Sequence, residues 1–411
     1  MKKTFQVPAS IGLSMLVTLA ACSGTEKEEY SFEIIERDGV ITALTENGPK
    51  YSEDLFKYIS KLTLKEEHDN PESLIDSPRW FVMAEDGTFF LPHSNDNRIQ
   101  VFSPEGDYLR SFGREGDGPG EFRNPMFQSL IGDTIAVFDH QQQRTTVYRT
   151  DGTLLDIIRH PNPTGISDGL FEGLDGVLIS IRQPHRFKGN ILQMCGGVLT
   201  STAGGDSINW NSTEWVDWGC QTGGAGSVGV FNIYPYAPEP LAIFDPITES
   251  YLLSSGNEPV ISWFRLDGPL FRKYRFSIPR ERIVKKAILS EAMDGLEKAR
   301  ESAARIERIR DNLKATELPR YKAFWRTIIH DSGYLWLEKP GLLIASIEKY
   351  ESPVYRVISP EGEYLGDTEW PERQATVMNG RLLALVQDNE TGSIVPTIFE
   401  ISPRVEGLKF P

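Results

Sequence analysis

The sequence predicts an all-β fold, a six-bladed β-propeller with one helical insertion. Two observations predict the ring. A turn ending in an acidic residue and glycine recurs as Ser103-Pro104-Glu105-Gly106, Arg149-Thr150-Asp151-Gly152, Arg265-Leu266-Asp267-Gly268 and Ser359-Pro360-Glu361-Gly362. The first two copies are about 46 residues apart, the length of one four-stranded blade. Such a unit cannot bury both faces alone, so copies must stack. A third observation predicts the insertion: residues 280–318 exchange strand alternation for helical spacing.

In chain order, residues 1–22 read as an export leader outside the fold. Lys2 and Lys3 form a positive start, and residues 11–21 are an apolar run too short to span a bilayer. Leu19-Ala20-Ala21-Cys22 resembles a bacterial lipobox, which implies cleavage before Cys22 and lipid on its sulfur. Several acyl chains, at about 0.8 kcal/mol per buried methylene, anchor firmly. Ser23 stands where lipoproteins retained in the inner membrane carry aspartate, which points to the outer membrane. Residues 23–29 are polar and read as a tether. The propeller is expected over 30–405.

Apolar strand residues flank every turn, for example Val147-Tyr148 before and Leu154-Leu155 after. The acidic-Gly pair supplies the positive φ of a tight hairpin. Another strand lies upstream of each turn: Thr88-Phe89-Phe90-Leu91, Thr134-Ile135-Ala136-Val137, Tyr251-Leu252-Leu253 and Tyr334-Leu335-Trp336-Leu337. Two more, residues 177–181 and 382–386, belong to blades with degenerate turns and bring the count to six. An open ring would leave sheet edges exposed. The C-terminal strands 382–386 and 398–401 must therefore share a blade with an N-terminal strand. The candidates are 31–35 with 40–44, and 59–64.

The loop 113–122, GREGDGPGEF, lacks the Lys-Ser/Thr end and following helix of a phosphate loop. Its glycines permit a tight crossing between blades, with Phe122 in the core. Cys195 and Cys220 lie in an irregular stretch, 185–235. In an oxidising compartment they are candidates for a disulfide that staples it. In the insertion, Val284, Ile288, Ala292, Leu296, Ala299, Ala303, Ile306 and Leu313 draw one apolar stripe. Glu281/Lys285, Asp294/Lys298 and Glu301/Arg305 add charge pairs four apart, Gly295 is a candidate break, and Pro319 ends the segment. The stripe fits a lid or brace packed on the propeller, or an arm for a partner.

The run Asn97-Arg98-Ile99-Gln100-Val101-Phe102 before the first turn resembles the NHL repeat, and 113–122 with Asn124-Pro125 resembles its linker between blades. The chain as a whole resembles bacterial six-bladed propeller lipoproteins of the NHL or TolB-like kind. The likeness is close over 78–160, moderate over 240–276 and 326–403, and poor over 185–235. It implies the fold and an envelope location. It does not imply an activity, because propellers host enzymes, receptors and scaffolds alike.

In such rings the loops after second strands share one face with the loops between blades. Here those strands lead into His93, Asp139, Arg182, Ser255, Glu338 and Gln387, aligned by distance from the strand start. The resemblance implies aspartate at this place. Asp139 keeps it, while His93, Arg182 and Glu338 depart and would individualise a pocket. These four are the candidate ligand-binding set, able to hold a polar ligand by charge-assisted hydrogen bonds. The alternatives are that they cap strands, or that some of His93, Asp139 and Glu338 bind a metal.

Neither a Gly-x-Ser-x-Gly elbow nor a His-Glu-x-x-His helix is present, and no catalytic residue can be named. A net charge of -15 without a long basic run argues against nucleic acid or an anionic membrane surface as partner. The expectation is a monomeric, lipid-anchored envelope propeller that binds a small ligand or an envelope protein. One rival is a metal-assisted hydrolase or lyase, with a divalent cation such as calcium. The other is a scaffold of an outer-membrane assembly.

Overall fold

Aromatic and β-branched runs between glycine turns form antiparallel meanders, and six of these close into a ring. The computed structural model describes residues 29–410 except 77, 79–80, 94, 140, 160–165, 173–176, 184, 189–190, 203–206, 223–229, 234–235, 238–239, 246–247, 267, 317, 343–351 and 389–390. The leader and Cys22 lie outside the described residues.

Blade 1 comprises Val82–Met83, Phe89–His93, Arg98–Phe102 and Tyr108–Phe112, from the axis outward. Blade 2 comprises Pro125–Ile131, Thr134–Asp139, Arg144–Arg149 and Leu154–Arg159. Blade 3 uses Ile166–Glu172, Val177–Gln183, Gly197–Thr202 and Ser207–Ser212. Blade 4 uses Leu241–Asp245, Ser250–Ser254, Val260–Arg265 and Leu270–Phe276. Blade 5 is Ile328–Asp331, Tyr334–Glu338, Val354–Ile358 and Tyr364–Glu369. Blade 6 is Ala375–Met378, Arg381–Gln387 and Ile394–Pro403, completed on its outer edge by Phe56–Thr63.

That last strand closes the ring and settles the choice of N-terminal partner. Phe56–Thr63 runs antiparallel to Ile394–Pro403, with Phe56 opposite Pro403. The other candidate, the hairpin Ser31–Arg37 with Val40–Glu46, widens blade 4 instead, lying parallel to Leu270–Phe276.

Alternate residues of each second strand face opposite neighbours, so both faces of a blade are buried. Phe89 and Leu91 pack toward blade 6 with Leu383, Leu385 and Ile398, whereas Phe90 packs toward blade 2 with Ile135 and Val137. Leu335 and Leu337 face blade 4 with Leu252 and Trp263, whereas Trp336 faces blade 6 with Phe56 and Leu382. Blade 3 joins blade 4 through Val198, which packs on Phe244 and Tyr251.

The acidic-Gly turns have one shared geometry. In all four, the glycine N–H donates at 2.9 Å to the carbonyl three residues back: Ser103, Arg149, Arg265 and Ser359. A register shift follows in every case, which is the bulge such a turn makes with glycine at positive φ. Two of these glycines also lack room for a side chain. A Cβ on Gly106 (φ +82°) would lie 2.6 Å from the Thr63 carbonyl oxygen. On Gly362 (φ +94°) it would lie 2.4 Å from the Tyr274 ring. Each turn therefore leans on the outer strand of the preceding blade, and the glycine is required by stacking as well as by φ.

The stretch 185–235 forms an extra antiparallel sheet: His185–Lys188, Ile191–Met194, Val216–Thr222 and Val230–Ile233. It corrects the disulfide expectation. Cys195 is a free, buried thiol, while the ladder sets Cys220 opposite Ile191 and Val216 opposite Met194. Four residues of strand separate Cys220 from Cys195, on the order of 13 Å, well past the reach of a disulfide.

The insertion is two helices, α1 (Lys285–Lys298) and α2 (Ala303–Ala315). The break is not at Gly295, which stays inside α1. It follows at Arg300, with φ +54°, and at Ser302, whose hydroxyl caps the next helix on the Arg305 N–H. Ile288, Ala292, Leu296 and Leu313 are buried against Tyr236 and Leu342, and Val284 is exposed. The hairpin is thus a brace seated on the loops beside blades 4 and 5. Of the three charge pairs, Glu301–Arg305 forms at 3.5 Å. Glu281 instead pairs with Lys322, and Lys285 donates to the carbonyls of Lys314 and Thr316 at the end of α2.

Candidate functional site

Asp139 is the best-formed of the expected site residues, and its role is structural. It is fully buried at the end of the second strand of blade 2. One oxygen accepts the N–H groups of Arg123 (2.6 Å) and Asn124 (3.1 Å), in the crossing from blade 1. The other accepts those of Gln141 (2.9 Å) and Gln142 (3.0 Å), in its own turn. Four amides occupy the carboxylate, which ties the incoming loop to the outgoing one. The same loop is held by Arg144, whose guanidinium donates to the carbonyls of Asp117, Gly118 and Glu121, and by the Tyr148 hydroxyl on Gly120. Phe122 is fully buried beneath it, as expected.

His93 occupies the equivalent place in blade 1 and is also fully buried. Burial holds it neutral and pushes its pKa below 6.5, helped by Arg98 and opposed by Asp96 and Asp76. Neither His93 nor Asp139 lines a described cavity, so the expectation that a functional pocket would include one of them is corrected. The side chain of Arg182 lies outside the described residues. Ser255 is half-buried and accepts the Asn257 N–H in its own turn, and Gln387 is exposed.

Glu338 corrects the alignment. Ile358, just before the acidic-Gly turn, pairs with Leu335, as Phe102 pairs with Phe89 and Tyr148 with Ile135. The residue four places on is His93, Asp139 and, in blade 5, Lys339, which pairs with Asp367. Glu338 is one residue early. With a side-chain period of two, that turns it to the opposite face, toward blade 6.

There it meets two arginines that sequence reasoning missed. Its Oε1 lies 2.9 Å from Arg373 Nη1 and 3.6 Å from Arg326 Nη1. The Glu338 side chain is 7% exposed and the two arginines 22% and 21%. A visible signal existed: Arg326 and Arg373 each stand two residues ahead of the first strand of their blade, as Arg123 does in blade 2.

This cluster belongs to a cavity of about 350 Å³. Ile329, Phe81, Leu383 and Leu385 supply apolar walls, and Thr327, Tyr355, Gln374 and Thr376 add polar groups. Phe81, Ile329 and Thr376 come from the innermost strands of blades 1, 5 and 6, or their lead-ins, so the cavity lies on the axial side at the loop face. Tyr355 stacks on Trp370 with centroids 3.9 Å apart. Its hydroxyl stays protonated, because burial and then Glu338 push its pKa well up.

The metal alternative is also corrected. Asp139 is spent on amides, His93 faces blade 6 from inside the core, and Glu338 faces the opposite way on another blade. Among the described residues no three His, Cys, Asp or Glu side chains group to hold a metal ion.

Six four-stranded sheets closed by an N-terminal strand define a six-bladed β-propeller with a helical insertion. No protein-family model and no curated protein sequence matches the chain. In overall structure it is similar to an exported protein of Bacteroides fragilis, with a TM-score of 0.51 at 12% identity over 88% of this chain and 99% of that one. It is also similar to a member of the DUF4221 family from Bacteroides vulgatus, with a TM-score of 0.50 at 12% identity over 85% and 99%. Likeness at this identity shows the shared fold.

Proposed function

We propose that the protein is an exported, lipid-anchored propeller that binds a small ligand in the axial cavity between blades 5 and 6. The observation that carries this reading is the cavity itself: apolar walls around a few convergent polar groups, with charged side chains held mostly out of water. Most small-molecule sites are built this way. The leader and Cys22 support the address, and the exported Bacteroides fragilis protein of similar fold is consistent with it.

Two experiments test the two halves. Cys22→Ser should move the protein from the membrane pellet to the soluble fraction, and a mature N-terminus elsewhere than Cys22 would end the anchor reading. For the cavity, a metabolite library is screened by thermal shift on the mature protein and on Ala375→Trp, which fills the space. Hits lost in the variant support the site. Hits that all survive it refute the site.

A further inference from the structure

Resting on that cavity, we infer that its ligand is an amphiphile: an apolar body carrying a carboxylate or similar planar anion. Phe81, Ile329, Leu383 and Leu385 form a wall that favours hydrocarbon over sugar or peptide backbone. At one end, Arg326 and Arg373 both approach a single oxygen of Glu338. The charged groups acting on the Tyr355 hydroxyl are these three: Glu338, Arg373 and Arg326. Two cations face one anion, which leaves an excess positive charge in a partly dry setting. Such a charge is costly unless an anion comes to it.

The geometry favours one kind of anion. Arg373 lines the cavity, and a guanidinium offers parallel N–H donors to a carboxylate. Tyr355, held protonated, and the Thr327 and Thr376 hydroxyls can donate to the same head. Glu338 then orients Arg373 and does not touch the ligand, so Arg373 is the specificity-determining residue. A cationic ligand would meet the two arginines before Glu338, and a neutral one would leave their charge unanswered.

The test uses the mature full chain and three probes of matched length: decanoate, decanol and decylamine. Titration calorimetry should show decanoate binding about tenfold or more tighter than decanol, and no binding of decylamine. Arg373→Gln should remove that preference, Arg373→Lys should keep part of it, and Ala375→Trp should abolish binding. Equal affinity for decanoate and decanol, or a preference unchanged in Arg373→Gln, overturns the anion assignment. If decanol binds and Ala375→Trp abolishes it, the cavity stands and only the ligand class falls. If the probes bind but are indifferent to Ala375→Trp, the cavity falls as well. Failure of all three probes to bind overturns the amphiphile class, and the library screen then judges the cavity alone.

Discussion

Replacing Asp139 by alanine separates a structural carboxylate from a ligand-binding one. The variant strands the amides of Arg123, Asn124, Gln141 and Gln142, now held at 2.6 to 3.1 Å. Hydrogen bonds to a charged group contribute about 1.5–3 kcal/mol each, which sets an upper bound near 6–12 kcal/mol. The loops are only partly buried, so water can reach some of the freed N–H groups. The expected loss is about 3–5 kcal/mol, at the high end for a single substitution. Asp139→Asn keeps one acceptor oxygen and should lose about 1–3 kcal/mol. Urea unfolding followed by tryptophan fluorescence measures the loss. Hydrogen exchange should show it first at residues 123–124 and 141–142. A change within about 0.5 kcal/mol for Asp139→Ala would refute the reasoning, and stabilisation would restore Asp139 as a functional group, since functional sites commonly cost stability.

Gly362→Ala should destabilise by about 2 kcal/mol or more, because it combines φ +94° with a Cβ 2.4 Å from the Tyr274 ring. An unchanged melting temperature would contradict the stacking role of the turn. A chain starting at residue 49 should still fold, since the Ser31–Arg37 hairpin only edges blade 4. One starting at residue 66 should not, because it loses Phe56–Thr63. Folding of both would refute closure by that strand. His93 and His330 are both buried and their pKa values are lowered, so below about pH 6.5 the unfolded chain binds more protons than the folded one. Stability should therefore be full above that pH and fall as the pH drops below it. The double variant His93→Gln/His330→Gln should flatten the decline between about pH 6.5 and 5. An identical slope in urea midpoints would count against it.

Much of the ring was legible in the residues. The four acidic-Gly turns, the six second strands and the amphipathic insertion are local features, and local periodicity reports them. The break in the helices was less legible: Gly295 tolerates α1 because Ala292 and Leu296 on either side are buried, while the stop is made by Arg300 and the Ser302 cap. The disulfide failed for a related reason. Cysteine count and compartment allowed it, but the ladder register that separates Cys195 from Cys220 depends on strands far apart in the chain.

The site divides the same way. Sequence alone marked the loop face and the position ending each second strand, because the repeat carries a ruler of fixed length. It could not tell which side of the strand Glu338 would face, since a one-residue offset is invisible by eye and reverses the side chain. It also could not bring Phe56–Thr63 to blade 6, or Arg326, Arg373 and Phe81 to one cavity. Those meetings join residues from different blades. They are decided by closure of the ring, where burying both faces of every sheet leaves one order of stacking.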